Sequence, residues 1–198
     1  MPRPKIHDEA LRTRLLDRTG ELLSAHGPDA LSLRRLAADV NTSTTAVYSL
    51  FGGKAGLVAE VHREAWRRFG ARLAEVTPSD DPARDLVALG HAYRASALAD
   101  PHLYGLLFGS PVPDYTPDQE TREESMAAFR PLLDAVRRGV DCGQFAADPP
   151  ERMALACWGQ VHGLVSLELN GSLPEDVDVE GGYDTALRAL VEGWRRRP

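Results

Sequence analysis

The apolar residues of this chain recur at intervals of three and four positions along almost its whole length, and this spacing constrains the fold more than any other feature. Such a period places one apolar stripe along the face of an α-helix. Alternating apolar and polar residues bounded by hairpin turns, which would indicate strands, are hard to find. We therefore predict an all-α fold of about nine helices.

The first three predicted helices are separated by residues that favour caps and turns. The first helix covers about residues 8–25 and ends at Gly27. Ser32 can cap the second helix and Ser43 the third. Between them stands Asn41, one of the few non-glycine residues that tolerate a left-handed backbone. Two short helices joined by a tight turn are the layout of a helix-turn-helix, whose second helix enters the DNA major groove.

The stretch "NTSTTAVYSLFGGK", residues 41–54, contains little to bury and many hydroxyl groups. Small residues let a helix approach the bases closely, and hydroxyl groups can bond base edges or phosphates. Tyr48 has the reach for a backbone oxygen, and Lys54 begins a fourth helix, where N–H groups favour a phosphate. The predicted DNA-contacting residues are Ser32, Arg34, Arg35, Thr42, Ser43, Thr44, Thr45, Tyr48, Ser49 and Lys54.

The charge of the chain is unevenly distributed. The net charge is −6, but residues 1–54 hold eight basic and six acidic side chains, a net of 8 − 6 = +2. The remainder holds 15 basic and 23 acidic side chains, a net of 15 − 23 = −8. This contrast fits a DNA-touching head on an acidic body, although chance scatter of charges would also produce it.

The second half of the chain is also predicted to be helical. A long fourth helix, residues 54–76, connects a helix-turn-helix domain, residues 1–54, to a helical domain, residues 78–198. Asp81 can cap the fifth helix, Thr116 is expected to cap the seventh, and Pro131 is expected to break or kink that seventh helix. The two cysteines lie outside any CxxC pattern and are expected to be interior residues.

The segment "LSLRRLAADVNTSTTAVYSLFGGKAGLVAEV", residues 31–61, resembles the DNA-binding domain of the TetR (tetracycline-repressor) family. Leu36-Ala37 matches the second helix of that family, and Tyr48, Phe51 and Lys54 match its Tyr-x-x-Phe-x-x-Lys run. The usual Gly-Val of the turn is replaced by Asn41-Thr42, and a frequent histidine is replaced by Leu50. The resemblance implies a homodimeric regulator, most simply a repressor, that binds a palindromic DNA operator and is released by a small-molecule effector.

The later segments "PHLYGLLFGSPVP" and "CWGQVHGLVSLEL" resemble the ligand-binding domain of a TetR subfamily with a Trp/His/Gly (WHG) signature, here Trp158, His162 and Gly163. Aromatic and methionine side chains spread over several helices either fill the core or enclose an apolar or aromatic effector, with histidines and tyrosines as its polar contacts. The predicted ligand-binding residues are His91, Tyr93, Tyr104, Phe108, Met126, Phe129, Leu133, Trp158 and His162.

The last helix carries an apolar seam near the end of the chain, which suits a homodimer contact. The predicted dimer residues, on the last two helices, are Val161, Val165, Leu169, Leu187, Leu190, Val191 and Trp194.

Other functional classes lack support in the sequence. No two histidines share the i, i+4 spacing with an acid that a zinc-binding helix shows, so we predict no metal, no cofactor and no catalytic residue. No signal peptide or membrane span is evident, so we expect a cytoplasmic protein without a membrane partner. The alternatives are a helical enzyme, or a ligand-binding or interaction module without sequence-specific DNA binding.

Overall fold

The computed structural model describes residues 5–109, 112 and 115–196, and over these residues the chain is all-α, as predicted. No helix in the described ranges combines the length and the apolar character that crossing a lipid bilayer requires. A 3-10 turn, Pro28–Ala30, follows the first helix. The helices are α1 (Lys5–His26), α2 (Leu33–Asp39), α3 (Thr44–Phe51), α4 (Lys54–Ala74), α5 (Pro82–Ala99), α6 (Pro101–Phe108), α7 (Gln119–Asp141), α8 (Pro150–Leu169) and α9 (Val179–Trp194).

The helices group into two compact units, and the division falls inside α4 and inside α7. Unit 1 comprises residues 1–68 and 100–125, and unit 2 comprises residues 69–99 and 126–198. The sequence instead suggests one boundary near residue 78. The grouping differs because α6 and the first turns of α7 pack with the N-terminal helices.

Unit 1 is built around the apolar stripe of α1. Leu15 and Leu22 on this helix are almost completely buried, as are Leu36 on α2, Val47 on α3 and Leu57 on α4. Thr19 also lies on the buried face, where its hydroxyl donates to the carbonyl of Leu15 at 2.6 Å and so is not left unpaired. The predicted 3.6-residue period of α1 is therefore confirmed in its packing.

Helix α6 lies close to α1 because small residues line the contact. A methyl group on Gly20 would stand 2.7 Å from Cδ2 of Leu103, and one on Gly105 would stand 3.0 Å from the Ser24 hydroxyl. A larger side chain at either glycine would therefore require Leu103 or Ser24 to shift. Helix α6 is thus part of the packing of the N-terminal helices.

The start of α7 is fastened to α4. Glu120 forms an ion pair with Arg63, and the ring of Tyr115 stacks on His62 with 4.1 Å between centroids. Burial lowers the pKa of His62 although its Nδ1 donates to a backbone carbonyl, and burial raises the pKa of Tyr115. The predicted cap of α7 was wrong: Asp118, and not Thr116, accepts the first-turn N–H, that of Thr121, at 2.8 Å.

Unit 2 packs α5 against α8 and α9. Its turn before α5 is held by Asp85, which accepts from the Ser79 backbone at 2.9 Å and from Arg138 at 2.6 Å. Burial alone would raise the pKa of Asp85, but these hydrogen bonds outweigh it and hold that pKa below its usual range. Asp81 caps α5 as predicted, since its Oδ1 accepts the N–H of Ala83 at 3.1 Å.

A bidentate ion pair joins α5 to α8. Arg94 donates to both carboxylate oxygens of Glu168, at 2.7 and 2.6 Å, and less than a fifth of either side chain is exposed. The guanidinium also lies 5.6 Å from the ring centroid of Tyr183 on α9. The pair therefore brings together side chains from α5, α8 and α9.

The connection from α7 to α8 folds back on α7 and on the end of α9. The buried ring of Phe145 lies on Gly139, and the Phe145 N–H donates to the Gly139 carbonyl at 2.9 Å. Phe145 also forms an isolated antiparallel bridge with Arg195, which is the sole β pairing in the part of the chain that the structure describes.

Two further expectations concern this region. Helix α7 continues through Pro131 as one helix, so the expected break is absent, and a kink there stays a prediction. The two cysteines differ: Cys157 is buried, and burial raises the pKa of its thiol to about 11, whereas Cys142 is exposed just after α7.

Candidate nucleic-acid interface

The turn between α2 and α3 has the conformation that its sequence predicts. Asn41 adopts φ 56°, the left-handed conformation expected of it, and the N–H of Thr42 donates back to the Ala37 carbonyl at 2.8 Å. The Ser43 hydroxyl accepts the N–H of Ala46 at 3.2 Å, and the Ser32 hydroxyl accepts that of Arg35 at 3.5 Å. Both serines therefore act as helix caps, which fixes where α2 and α3 begin.

Helix α3 buries one narrow face and exposes the rest. Val47 and Phe51 are buried, and Leu50 is half-buried against the same core. The outward residues carry hydroxyl groups: Thr45, Tyr48 and Ser49 are exposed, while Thr42 and Thr44 are half-buried. A helix with this outer face can approach a groove closely and donate or accept hydrogen bonds there.

The basic residues of unit 1 fall into two groups. Arg12 is paired with Glu60, and Arg18 is paired with Glu21 and Asp39. Arg34 and Arg35 on the first turn of α2 are exposed, and neither side chain has a partner among the described residues. These two guanidinium groups are therefore available to an anion without breaking an ion pair.

Two further groups lie at the junction of α3 and α4. Tyr48 is 58% exposed, and its ring edge passes over Gly53. Lys54 is exposed, and its ammonium group donates to the carbonyl of Pro28 at 3.2 Å. An ammonium group has three N–H donors, so this bond leaves two of them for a second acceptor.

Sequence reasoning did not identify two groups that organise this surface. One is Gly53, which adopts φ 129° beneath the Tyr48 ring, and the other is the Pro28 carbonyl, which orients Lys54. The paired glycines before Lys54 were the available signal for the first. No sequence signal marks a backbone carbonyl as a partner.

The predicted ligand-binding residues are divided between the units. In unit 1, Tyr104 is buried beside Phe108, with 4.8 Å between ring centroids. In unit 2, the Tyr93 hydroxyl lies 3.1 Å from Nδ1 of His162, and burial lowers the pKa of His162. Phe129 and Trp158 are partly buried with 6.0 Å between their rings.

Other residues of that predicted set are less suited to an enclosed site. Met126 is 61% exposed, and Leu133 is half-buried. His91 is exposed and donates to Asp184 at 2.9 Å, so its polar partner differs from that of His162. Neither Met126 nor His91 is enclosed within unit 2.

Four of the predicted dimer residues are unavailable to a second copy. Val161, Val165, Leu187 and Val191 are at most 7% exposed, because they form the interior between α5, α8 and α9. The prediction for these four was wrong, since an apolar period marks a buried face without specifying its partner. Leu169, Leu190 and Trp194 are half-buried.

The outward face of α8 has a different composition. Leu155 is 60% exposed and Leu167 is 45% exposed. Between them, Gly159 and Gly163 have open space where a side chain would stand. This face combines exposed leucines with two glycines that have no neighbouring group within 4 Å of an added Cβ.

The chain matches two family models. The model described as bacterial regulatory proteins, tetR family, matches residues 15–61, and the model described as tetracyclin repressor-like, C-terminal domain, matches residues 86–190. The first match contains the whole α2–α3 arrangement, and the second covers more than half of the chain.

Similar proteins agree with these matches. An HTH-type transcriptional regulator of Mycobacterium tuberculosis is 25% identical over 92% of each chain. A protein of unknown function from Rhodococcus sp. RHA1 is 25% identical, with a TM-score of 0.80 over 94% of this chain and 96% of that one. The TetR-family regulator PfmR from Thermus thermophilus is 18% identical and shares the fold, with a TM-score of 0.72 over 92% of this chain and all of the other.

Proposed function

The chain belongs to the TetR family of DNA-binding transcriptional regulators and is not an enzyme, and from this premise we propose that it is a homodimeric, effector-responsive repressor acting in the cytoplasm. The observation that carries the proposal is the outer face of α2 and α3. This face presents hydroxyl groups, Tyr48 and two unpaired arginines around a properly capped turn. In this proposal, α3 enters the major groove, while Arg34, Arg35, Tyr48 and Lys54 contact phosphates.

The effector is proposed to be a small, mostly apolar molecule. The aromatic side chains of unit 2 that support this are Phe69, Tyr93, Phe129 and Trp158, which come from four different helices. The Tyr93–His162 hydrogen bond would supply polar selectivity among these rings. The finer assignment to the WHG subfamily remains a prediction.

The response to the effector needs a connection between the ligand-binding helices and the DNA-binding helices. Residues 100–125 lie within the C-terminal family match and yet pack in unit 1. Their contacts there include Leu103 on Gly20 and Glu120 with Arg63. An effector that displaces α6 or α7 would thus act directly on the packing around α1 and α4. A roughly 100-fold release of DNA would require a coupling free energy of about 2.7 kcal/mol.

The homodimer is proposed to form through the outward face of α8. Leu155 and Leu167 supply apolar area, and Gly159 and Gly163 permit two helices to approach closely. A homodimer would carry two α3 helices, and dimers of helix-turn-helix proteins bind half-sites about 34 Å apart.

Selection of bound duplexes from a random DNA pool at two salt concentrations tests this function. We expect enrichment of a palindrome with half-sites about one helical turn apart, and weaker recovery at the higher salt concentration. Enrichment of a single unrepeated half-site would contradict the dimer. If no sequence is enriched over a Lys54→Ala control, sequence-specific binding by α3 is refuted for the protein as prepared. Refolding before a repeat removes any co-purified effector.

The selected operator then separates the roles of individual residues. Tyr48→Phe and Lys54→Ala are expected to weaken binding to all sequences by about tenfold, because they remove phosphate contacts. Lys54→Ala should also reduce the slope of log K against log salt by about 0.9, whereas the neutral Tyr48 hydroxyl should leave that slope unchanged. Thr44→Ala and Thr45→Ala are expected to change sequence preference.

Thr13→Ala is the matched control for the two threonine variants. Thr13 is an exposed threonine on α1, where its hydroxyl donates to the Glu9 carbonyl. Thr13→Ala should leave both the affinity for DNA and the sequence preference unchanged. A uniform loss at every sequence for all four interface variants would contradict the assigned roles.

A further inference from the structure

The side chain of Tyr48 is exposed, yet its ring lies against a glycine five residues later. Ideal Cβ geometry at Gly53 would place a methyl group 3.3 Å from Cε1 and 3.7 Å from Cδ1 of the Tyr48 ring. Gly53 is itself buried, whereas Tyr48 is 58% exposed. One side of the Tyr48 ring therefore covers Gly53, and the other side of the ring is exposed to solvent.

The two neighbouring glycines have different requirements. Gly52 adopts φ 71° and caps α3, with its N–H donating to the Tyr48 carbonyl at 2.9 Å, and nothing lies within 4 Å of a Cβ added there. Gly53 adopts φ 129°, a conformation that glycine alone adopts readily. Only at Gly53 does the absence of a side chain also make room for the Tyr48 ring.

Lys54, the residue that follows Gly53, is also oriented. Its ammonium group donates to the Pro28 carbonyl at 3.2 Å. The two proposed phosphate contacts therefore have separate neighbours: the Tyr48 ring lies against Gly53, and the Lys54 ammonium group lies against the Pro28 carbonyl.

We propose that Gly53 is a positioning residue for DNA binding: it seats the Tyr48 ring so that the hydroxyl group is already directed to a backbone phosphate before DNA arrives. This inference rests on the proposed DNA contact of Tyr48. Holding an exposed side chain in its bound conformation avoids the loss of rotamer freedom on binding, an effect of about threefold to tenfold in affinity.

A double-mutant cycle on the selected operator tests this inference. Gly53→Ala is expected to weaken binding about fivefold when Tyr48 is present, and less than twofold in the Tyr48→Phe background, where there is no hydroxyl to misplace. The expected result is therefore a strong coupling between positions 48 and 53. Equal losses in both backgrounds would overturn the proposal, because a purely structural role of Gly53 does not depend on the hydroxyl.

Gly52→Ala is the control within the same turn. It also places alanine at a positive φ, but it meets no side chain, so its effect on affinity should be equal in both Tyr48 backgrounds. Coupling of the same size for Gly52→Ala would overturn the specific role of Gly53. If Tyr48→Phe alone costs no affinity, the hydroxyl contact is wrong, and the inference about Gly53 is overturned with it.

A measurement without DNA covers the case in which Gly53→Ala does not fold or no operator is found. The chain has five tyrosines, so labelling with 3-fluorotyrosine followed by ¹⁹F NMR can be assigned by comparison with Tyr48→Phe. We expect Tyr48 to show restricted motion of the ring on the nanosecond scale. The narrow line of a freely rotating exposed side chain would overturn the proposal independently of DNA binding.

Discussion

Replacing Arg94 by methionine is expected to lower the free energy of unfolding by about 3 kcal/mol, the largest effect of any single substitution considered for this protein. Methionine retains much of the side-chain volume but leaves the Glu168 carboxylate, with 17% exposure, without its bidentate partner. A charge left unpaired in such a position is more costly than the pair itself is favourable. Urea unfolding followed by circular dichroism measures the change in midpoint.

Two comparisons determine whether burial is the cause. Combining Arg94→Met with Glu168→Leu should recover most of the loss, because no unpaired charge remains. Arg188→Met removes an ion pair with Asp184 in which the arginine is 68% exposed, and it should leave the unfolding midpoint almost unchanged. A double variant that is as unstable as Arg94→Met would contradict the explanation.

The second large effect is expected for Gly139→Ala, at about 2–3 kcal/mol. The added methyl group would overlap Cδ2 and Cε2 of the Phe145 ring. The ring cannot move away freely, because Phe145 is 1% exposed and its N–H donates to the Gly139 carbonyl. Its neighbours are also held, since the Ala146 N–H donates to the Trp194 carbonyl and the Gln144 carbonyl accepts from the Arg196 N–H. Overpacking of this kind outweighs the gain that alanine normally brings to a helix.

Gly182→Ala on α9 provides the control for the helix propensity of alanine. No atom lies within 4 Å of a Cβ at Gly182, so this substitution should be neutral or should stabilise the protein by up to about 1 kcal/mol. Thermal melts of both variants make the comparison. Similar stability of Gly139→Ala and Gly182→Ala would show that Phe145 has room to shift.

The local structure of the DNA-binding helices could be predicted because it depends on neighbouring residues. Ser32 and Ser43 cap the helices that follow them, and Asn41 takes the left-handed conformation, each as its side chain favours. Capping and turn formation involve groups within three or four positions, and a single sequence contains that information. The cap of α7 was misplaced by two residues, because the prediction used Thr116 and the structure uses Asp118.

The partners of the helices could not be predicted in the same way. The apolar stripe of α8 correctly indicates that Val161 and Val165 are buried, but it does not reveal that α5 and α9 of the same chain bury them. Likewise, the close contact of Gly20 with Leu103 joins positions 83 residues apart, and neither residue type signals the other. This missing information explains the errors in the dimer residues and the different grouping of α6.

For the candidate site, the chemistry was more predictable than the orientation. Residue types identified hydroxyl groups, Tyr48 and Lys54 as candidates for DNA contact, and the structure exposes Tyr48 and Lys54 on unit 1. Tyr48 lies against the Gly53 backbone, and Lys54 donates to the Pro28 carbonyl. Neither contact can be predicted from the amino-acid composition or from the spacing of apolar residues.

The discontinuous make-up of unit 1 has a consequence for engineering. A fragment truncated after α4 would lack α6, so the surface of α1 around Gly20 that Leu103 covers would be exposed to water. Chimeras that exchange C-terminal domains between related regulators therefore need to keep residues 100–125 together with the N-terminal helices. These residues nevertheless lie within the segment that the C-terminal family model matches.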